Sequence, residues 1–100
     1  MKALLIKPVE QSIETIDISN QNDIIQLIGY ETIISDDLGE QGDKLYFDEE
    51  CFLRGTDGRF QIDKLIPVSG IGVIVGSTED GELADIRSNL NDLMSRIKFL

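Results

Sequence analysis

The segment Gly70-Ile71-Gly72-Val73-Ile74-Val75-Gly76 constrains this chain more than any other. Every residue from Ile71 to Val75 is apolar or glycine, and glycines stand at both ends. A strand turns alternate side chains to opposite faces, so such a run is stable only where both faces are covered. Ile71, Val73 and Val75 are therefore expected on one face and Ile74 on the other. The chain must then supply two covers. Ile24, Leu27 and Ile28 form an i, i+3, i+4 stripe on one short helix, which Ser19 or Asn20 caps and Gly29 stops. Asp23 sits in its first turn, where the helix dipole favours an anion. Leu83, Ile86, Leu90, Leu93 and Ile97 recur at spacings of three and four, which predicts a second helix from Leu83 to about Met94 with these residues on one face.

The remaining segments read as strands and turns. Ala3 to Ile6 is an apolar run closed by Pro8, as in a strand inside a sheet. Ser12 to Ile18 alternates, with Ile16 and Ile18 against Thr15 and Asp17, and predicts a half-exposed strand. Tyr30–Ser35 and Lys44–Phe47 are expected to form a hairpin around an exposed acidic loop, Asp36 to Asp43. Thr56-Asp57-Gly58-Arg59 carries an Asp-Gly turn signal, with Phe52-Leu53 and Phe60-Gln61-Ile62 as its arms. Glu79 to Glu82 reads as a turn, and Ile97 to Leu100 as a terminal strand or docked tail. Strands outnumber helices and no βαβ period runs through the chain. The expected fold is a single α+β domain spanning residues 1–100, with an antiparallel or mixed sheet of about five to six short strands and two short helices.

Charge narrows the function classes. The net charge of −10 on 100 residues repels phosphates and anionic lipid, so direct nucleic-acid or membrane contact is not expected. The opening Met1-to-Pro8 segment is too short in its apolar run for a signal peptide or a membrane span. There is no histidine and one cysteine, Cys51. That removes Ser-His-Asp and Cys-His catalysis and the usual zinc ligand sets, and leaves no intrachain disulfide, as suits a reducing cytoplasm. Cys51 follows three acids and reads as a small buried hydrophobe rather than a nucleophile. Phe47, Phe52, Phe60 and Phe99 read as core. The glycines of the 70–76 segment fall at i, i+2 and i+6, not in the i, i+2, i+5 spacing of a dinucleotide loop. The acids from Asp36 to Asp43 do not fit the register of an EF-hand. Neither a cofactor nor a metal is expected, and no catalytic residue is assigned.

Seven acids, Asp36, Asp37, Glu40, Asp43, Asp48, Glu49 and Glu50, and a single base, Lys44, lie between Asp36 and Glu50, giving −6 of the net −10 in this stretch. Such a ridge suits docking on a basic surface of a protein partner. Arg54 and Arg59 flank the Asp-Gly turn and offer an alternative, the capture of one carboxylate or phosphate. In that reading the protein is a small-ligand or nucleotide-binding module, and the Gly70–Gly76 segment allows close approach.

Several landmarks taken together resemble a family of short proteins of unknown function common in bacteriophages, plasmids and other mobile elements. They are Lys2-Ala3-Leu4-Leu5-Ile6-Lys7-Pro8, the helix end Leu27-Ile28-Gly29, Leu45-Tyr46-Phe47-Asp48-Glu49-Glu50, and Gly70 to Gly76 with Gly81 beyond. The resemblance spans nearly the whole chain. It implies a mobile-element setting and the cytoplasm of a bacterial host, and brings no catalytic residues. The expected function is that of a non-enzymatic accessory protein acting by protein–protein contact, one form being inhibition of a DNA-binding or defence protein. A homodimer is compatible with this expectation.

Overall fold

The computed structural model describes residues 1–39 and 42–100. Its organising element is β7 (Gly72–Ser77), in which all six residues are buried. On one side β7 pairs with β4 (Asp43–Asp48). On the other it pairs first with β1 (Lys2–Lys7) and then with the two-residue β8 (Leu83–Ala84). β2 (Ser12–Asp17) extends the sheet beyond β1, and β3 (Ile33–Asp37) beyond β4, giving the order β2-β1-β7-β4-β3. Every pairing is antiparallel. A second, three-stranded antiparallel sheet, β6-β5-β9, comprises β5 (Arg59–Ile62), β6 (Val68–Ser69) and β9 (Ile97–Phe99). With helices α1 (Gln21–Ile28) and α2 (Leu90–Arg96), the fold is α+β.

The alternation along β7 separates two cores. Val73 and Val75 pack with Ala3, Leu5, Ile18, Ile24 and Ile28, so α1 covers this face. Ile74 packs on the opposite face with Leu4, Ile6, Leu45, Phe60 and Leu93, so the second sheet and α2 cover that one. The face assignment of Val73, Val75 and Ile74 and the α1 cover follow the expectation. α1 also keeps its expected ends. The Asn20 side chain accepts the Asp23 amide at 3.1 Å, Asp23 accepts the Ser19 amide at 2.7 Å, and Gly29 terminates the helix.

The expected helix from Leu83 to Met94 is only half present. Leu83 and Ala84 form β8, residues 85–89 are not helical, and α2 begins at Leu90. Two tertiary contacts decide this. Asp43 is fully buried, and its two carboxylate oxygens accept the Arg87 and Ser88 amides at 2.8 Å each. Those donors are held across the fold and do not serve a helix. At Gly76 the chain passes so close that a Cβ would lie 2.1 Å from the Asp85 carbonyl oxygen, and only glycine fits. The Asn89 side chain then caps α2 by accepting the Asp92 amide. Leu83 consequently joins the α1-side core, while Ile86 and Leu90 pack on the other.

The hairpin arms around the Asp-Gly turn also differ. Residues 51–55 form turns, with the Leu53 and Arg54 amides on the Glu50 carbonyl, and β5 pairs with β6 and β9 instead. Phe52 is half exposed rather than core. The β3–β4 hairpin forms as expected, but its strands run into the stretch read as a loop, placing Asp36, Asp37 and Asp43 on strands.

Val73 is completely buried between α1 and the sheet. Val73→Asp is expected to abolish folding at room temperature, because an unpaired buried carboxylate costs several kcal/mol against a total stability of about 5–15 kcal/mol. Loss of the cooperative thermal transition in circular dichroism is the check.

Candidate functional site

The acidic ridge is not one surface. β4 lies between its two groups of acids, with Asp43 at one end and Asp48 at the other, about 17 Å apart at strand rise. Asp43 and Asp48 are both buried and both have internal partners, so neither presents charge to a docking protein. Asp36 is half-buried, and Asp37 is exposed with Lys44 4.0 Å away. Glu49 and Glu50 are exposed beside Asp48. Glu40 lies outside the described residues. The physical reason for the correction is the pleat: the acids at Asp43 and Asp48 point into covered faces of the sheet, where only hydrogen-bonded carboxylates are tolerated.

The two arginines are drawn to separate partners. Arg54 Nε donates to Asp48 Oδ2 at 2.6 Å, and its Nη2 donates to Thr32 Oγ1 at 3.0 Å and to Glu50 Oε2 at 3.3 Å. Its guanidinium lies 3.8 Å above the Tyr30 ring. Arg59 lies over the Phe52 ring at 5.3 Å. Arg54 is thus engaged within the fold, and the expected two-arginine anion clamp is not assembled.

Asp48 is 4 % exposed. Burial by itself raises its carboxyl pKa. The hydrogen bonds from the Thr32 hydroxyl, Arg54 and the Glu50 amide, with the Arg54 charge, outweigh burial and hold it below the ordinary carboxylate value. This network holds Arg54 over the Tyr30 ring, and Asp48 and Tyr30 both line a cleft.

That cleft, of about 330 Å³, opens at the end of the three central strands β1, β7 and β4. Pro8 and Val9 from the β1–β2 turn, Ile28 from the end of α1, Tyr30, and Ile71 ahead of β7 make it largely apolar. Thr56, Ser69 and Gly70 add small groups. Gly58 permits the arrangement: its φ is +79°, and a Cβ there would meet the Val9 backbone nitrogen at 2.8 Å, so the Asp57-Gly58 turn lies directly on the Pro8–Val9 turn. The lining side chains that carry charge at neutral pH are Glu10, Asp48 and Asp57, all carboxylates, and Asp48 is matched by Arg54. Val9 (65 % exposed) and Tyr30 (37 % exposed) leave apolar surface at this end.

A second, open groove of about 640 Å³ runs beside Leu38, Lys64, Leu65 and Lys98, with charges of both signs and the Arg96–Asp63 ion pair within it. Arg96 holds the Asp63 carboxyl below its usual range, against the opposing effect of burial. Among the described residues, no group of three or more His, Cys, Asp or Glu side chains is placed to hold a metal ion, and no helix is long and apolar enough to cross a membrane.

Sequence reasoning had no hold on Glu10, Tyr30 or Thr32. Nothing local marks Tyr30 as a wall, because its role depends on Arg54, 24 positions away. The Asp57-Gly58 signal marked a turn but not the surface on which it rests. No protein family, curated protein or solved structure matches the chain.

Asp48 has its depressed value only in the folded state, so the stability it contributes is present above about pH 4 and is lost as pH falls through the folded value. Asp48→Asn is expected to lower Tm by roughly 4–8 °C at neutral pH. The difference from the parent should narrow steadily below about pH 4. Thermal melts across this range provide the check, and a difference independent of pH would contradict the network.

Proposed function

We propose that this chain is a non-enzymatic accessory protein of a phage or other mobile element, and that it acts by contact with a basic protein partner, one form being inhibition of a DNA-binding or defence protein. The observation that carries the reading is the charge of the cleft: it has apolar walls, and every charged side chain in its lining is a carboxylate. Such a surface rejects phosphates and attracts lysine- and arginine-bearing segments, and the net −10 of the chain extends the attraction over longer range. Glu49 and Glu50 lie at the same end of β4 as the cleft and add to its field. The setting is supported by the sequence resemblance described above. Asp48, held ionised by Arg54, is a poor proton donor at neutral pH and is not assigned a general-acid role.

The reading is tested by affinity capture from a bacterial lysate at low salt, alongside an unrelated acidic protein of like net charge. A specific basic protein retained by this chain and not by the control, and released by moderate salt, is the expected result. Retention of the same set by both baits would count against it.

A further inference from the structure

Resting on that reading, we infer that the cleft is a socket for one long-stemmed basic side chain, lysine or arginine, presented by the partner protein. Two features point to this occupant. The walls from Pro8, Val9, Ile28 and Ile71 are aliphatic, and the cleft is near the lower limit of ligand-pocket volumes, about 300–1,000 Å³. That volume accommodates one extended side chain, and the carboxylate lining disfavours the phosphates of a nucleotide. Glu10 and Asp57, the two lining carboxylates with no ion pair among the described residues, are exposed and placed where a charged head can stay partly in water. Lysine and arginine have this split character: a methylene stem that buries along apolar surface and a cationic head that remains hydrated. Neither feature suffices alone. An exposed ion pair contributes little, and a purely aliphatic side chain leaves the carboxylates unanswered. Tyr30 is already covered on one ring face by Arg54, which keeps the wall in place while the socket fills.

The geometry also separates this site from the second groove. There the arginine is clamped by Asp63 and Asp92, and Lys64 and Lys98 would repel a cationic head. No lysine or arginine lines the cleft among the described residues, and Arg54 beside it is neutralised by Asp48 and Glu50.

The experiment is an amide NMR titration with three blocked pentapeptides that differ only at the central residue. One carries lysine. The second carries norleucine, with the stem but no charge. The third carries 2,3-diaminopropionate, with the charge but a short stem. The lysine peptide is expected to shift the amides of Val9, Glu10, Asp57, Gly70 and Ile71 saturably. Its affinity should exceed that of the norleucine peptide by about fivefold, what exposed carboxylates return for one charge, and that of the diaminopropionate peptide by about tenfold or more, for the loss of three buried methylenes. The Glu10→Gln/Asp57→Asn variant changes two exposed side chains. It should lose the preference for lysine over norleucine while binding norleucine as before. Equal binding of norleucine would overturn the socket in favour of a plain apolar cleft. Equal binding of diaminopropionate would reduce it to surface charge. Shifts that are absent or map elsewhere would overturn it as well, and a basic partner captured from lysate would then leave the broader reading standing on another surface.

Discussion

The burial of β7 on both faces is the constraint from which the rest of the structure follows. Val73 and Val75 require one apolar cover and Ile74 another, and no single helix can supply both. The chain answers with α1 on one side and the small β6-β5-β9 sheet with α2 on the other. Once both faces are closed, little of the central strand is left to bind anything. Function is displaced to the ends of the strands, where turns from distant parts of the sequence meet. The cleft lies at such an end, built on the turns that follow β1 and precede β7.

The same closure sorts the acids. A carboxylate whose strand position points inward must find hydrogen bonds or destabilise the fold. Asp43 finds the Arg87 and Ser88 amides and thereby fixes the non-helical link into α2. Asp48 finds Thr32, Glu50 and Arg54, and this network in turn sets Arg54 over Tyr30. These aspartates organise the molecule from within. The carboxylates left for recognition are the exposed ones, and Glu10 and Asp57 are those that meet an apolar surface.

Elements defined by local pattern were legible in the sequence. The apolar run at Ile71–Val75, the capped stripe of Ile24 and Ile28, and the β-branched hairpin segments each carry their own periodicity, and the α+β class followed from them. Elements decided by long-range contact were not. The period through Leu83, Ile86 and Leu90 is helical, yet buried Asp43 and the close approach at Gly76 override it at residues 85–89. The Phe60–Ile62 strand was visible, but of its partners Val68–Ser69 is only two residues long and Ile97–Phe99 lies far along the chain. The acidic ridge failed for a related reason. Counting charges along the chain ignores that β4 turns some inward and carries the others to opposite ends. The cleft was the least legible feature, because Glu10, Tyr30, Asp57 and Ile71 share no motif and are joined only by the topology.

Native-state amide hydrogen exchange tests the account most directly, because it separates scaffold from site residue by residue. The account predicts that Val73, Ile74 and Val75 exchange only through global unfolding and share the highest protection in the chain. Amides of the turns at 8–11 and 52–58 should exchange through small local openings. Protection along β7 lower than that of the edge strands β2 and β3 would contradict it, because a central strand that opens locally cannot be the element on which both cores and the cleft depend.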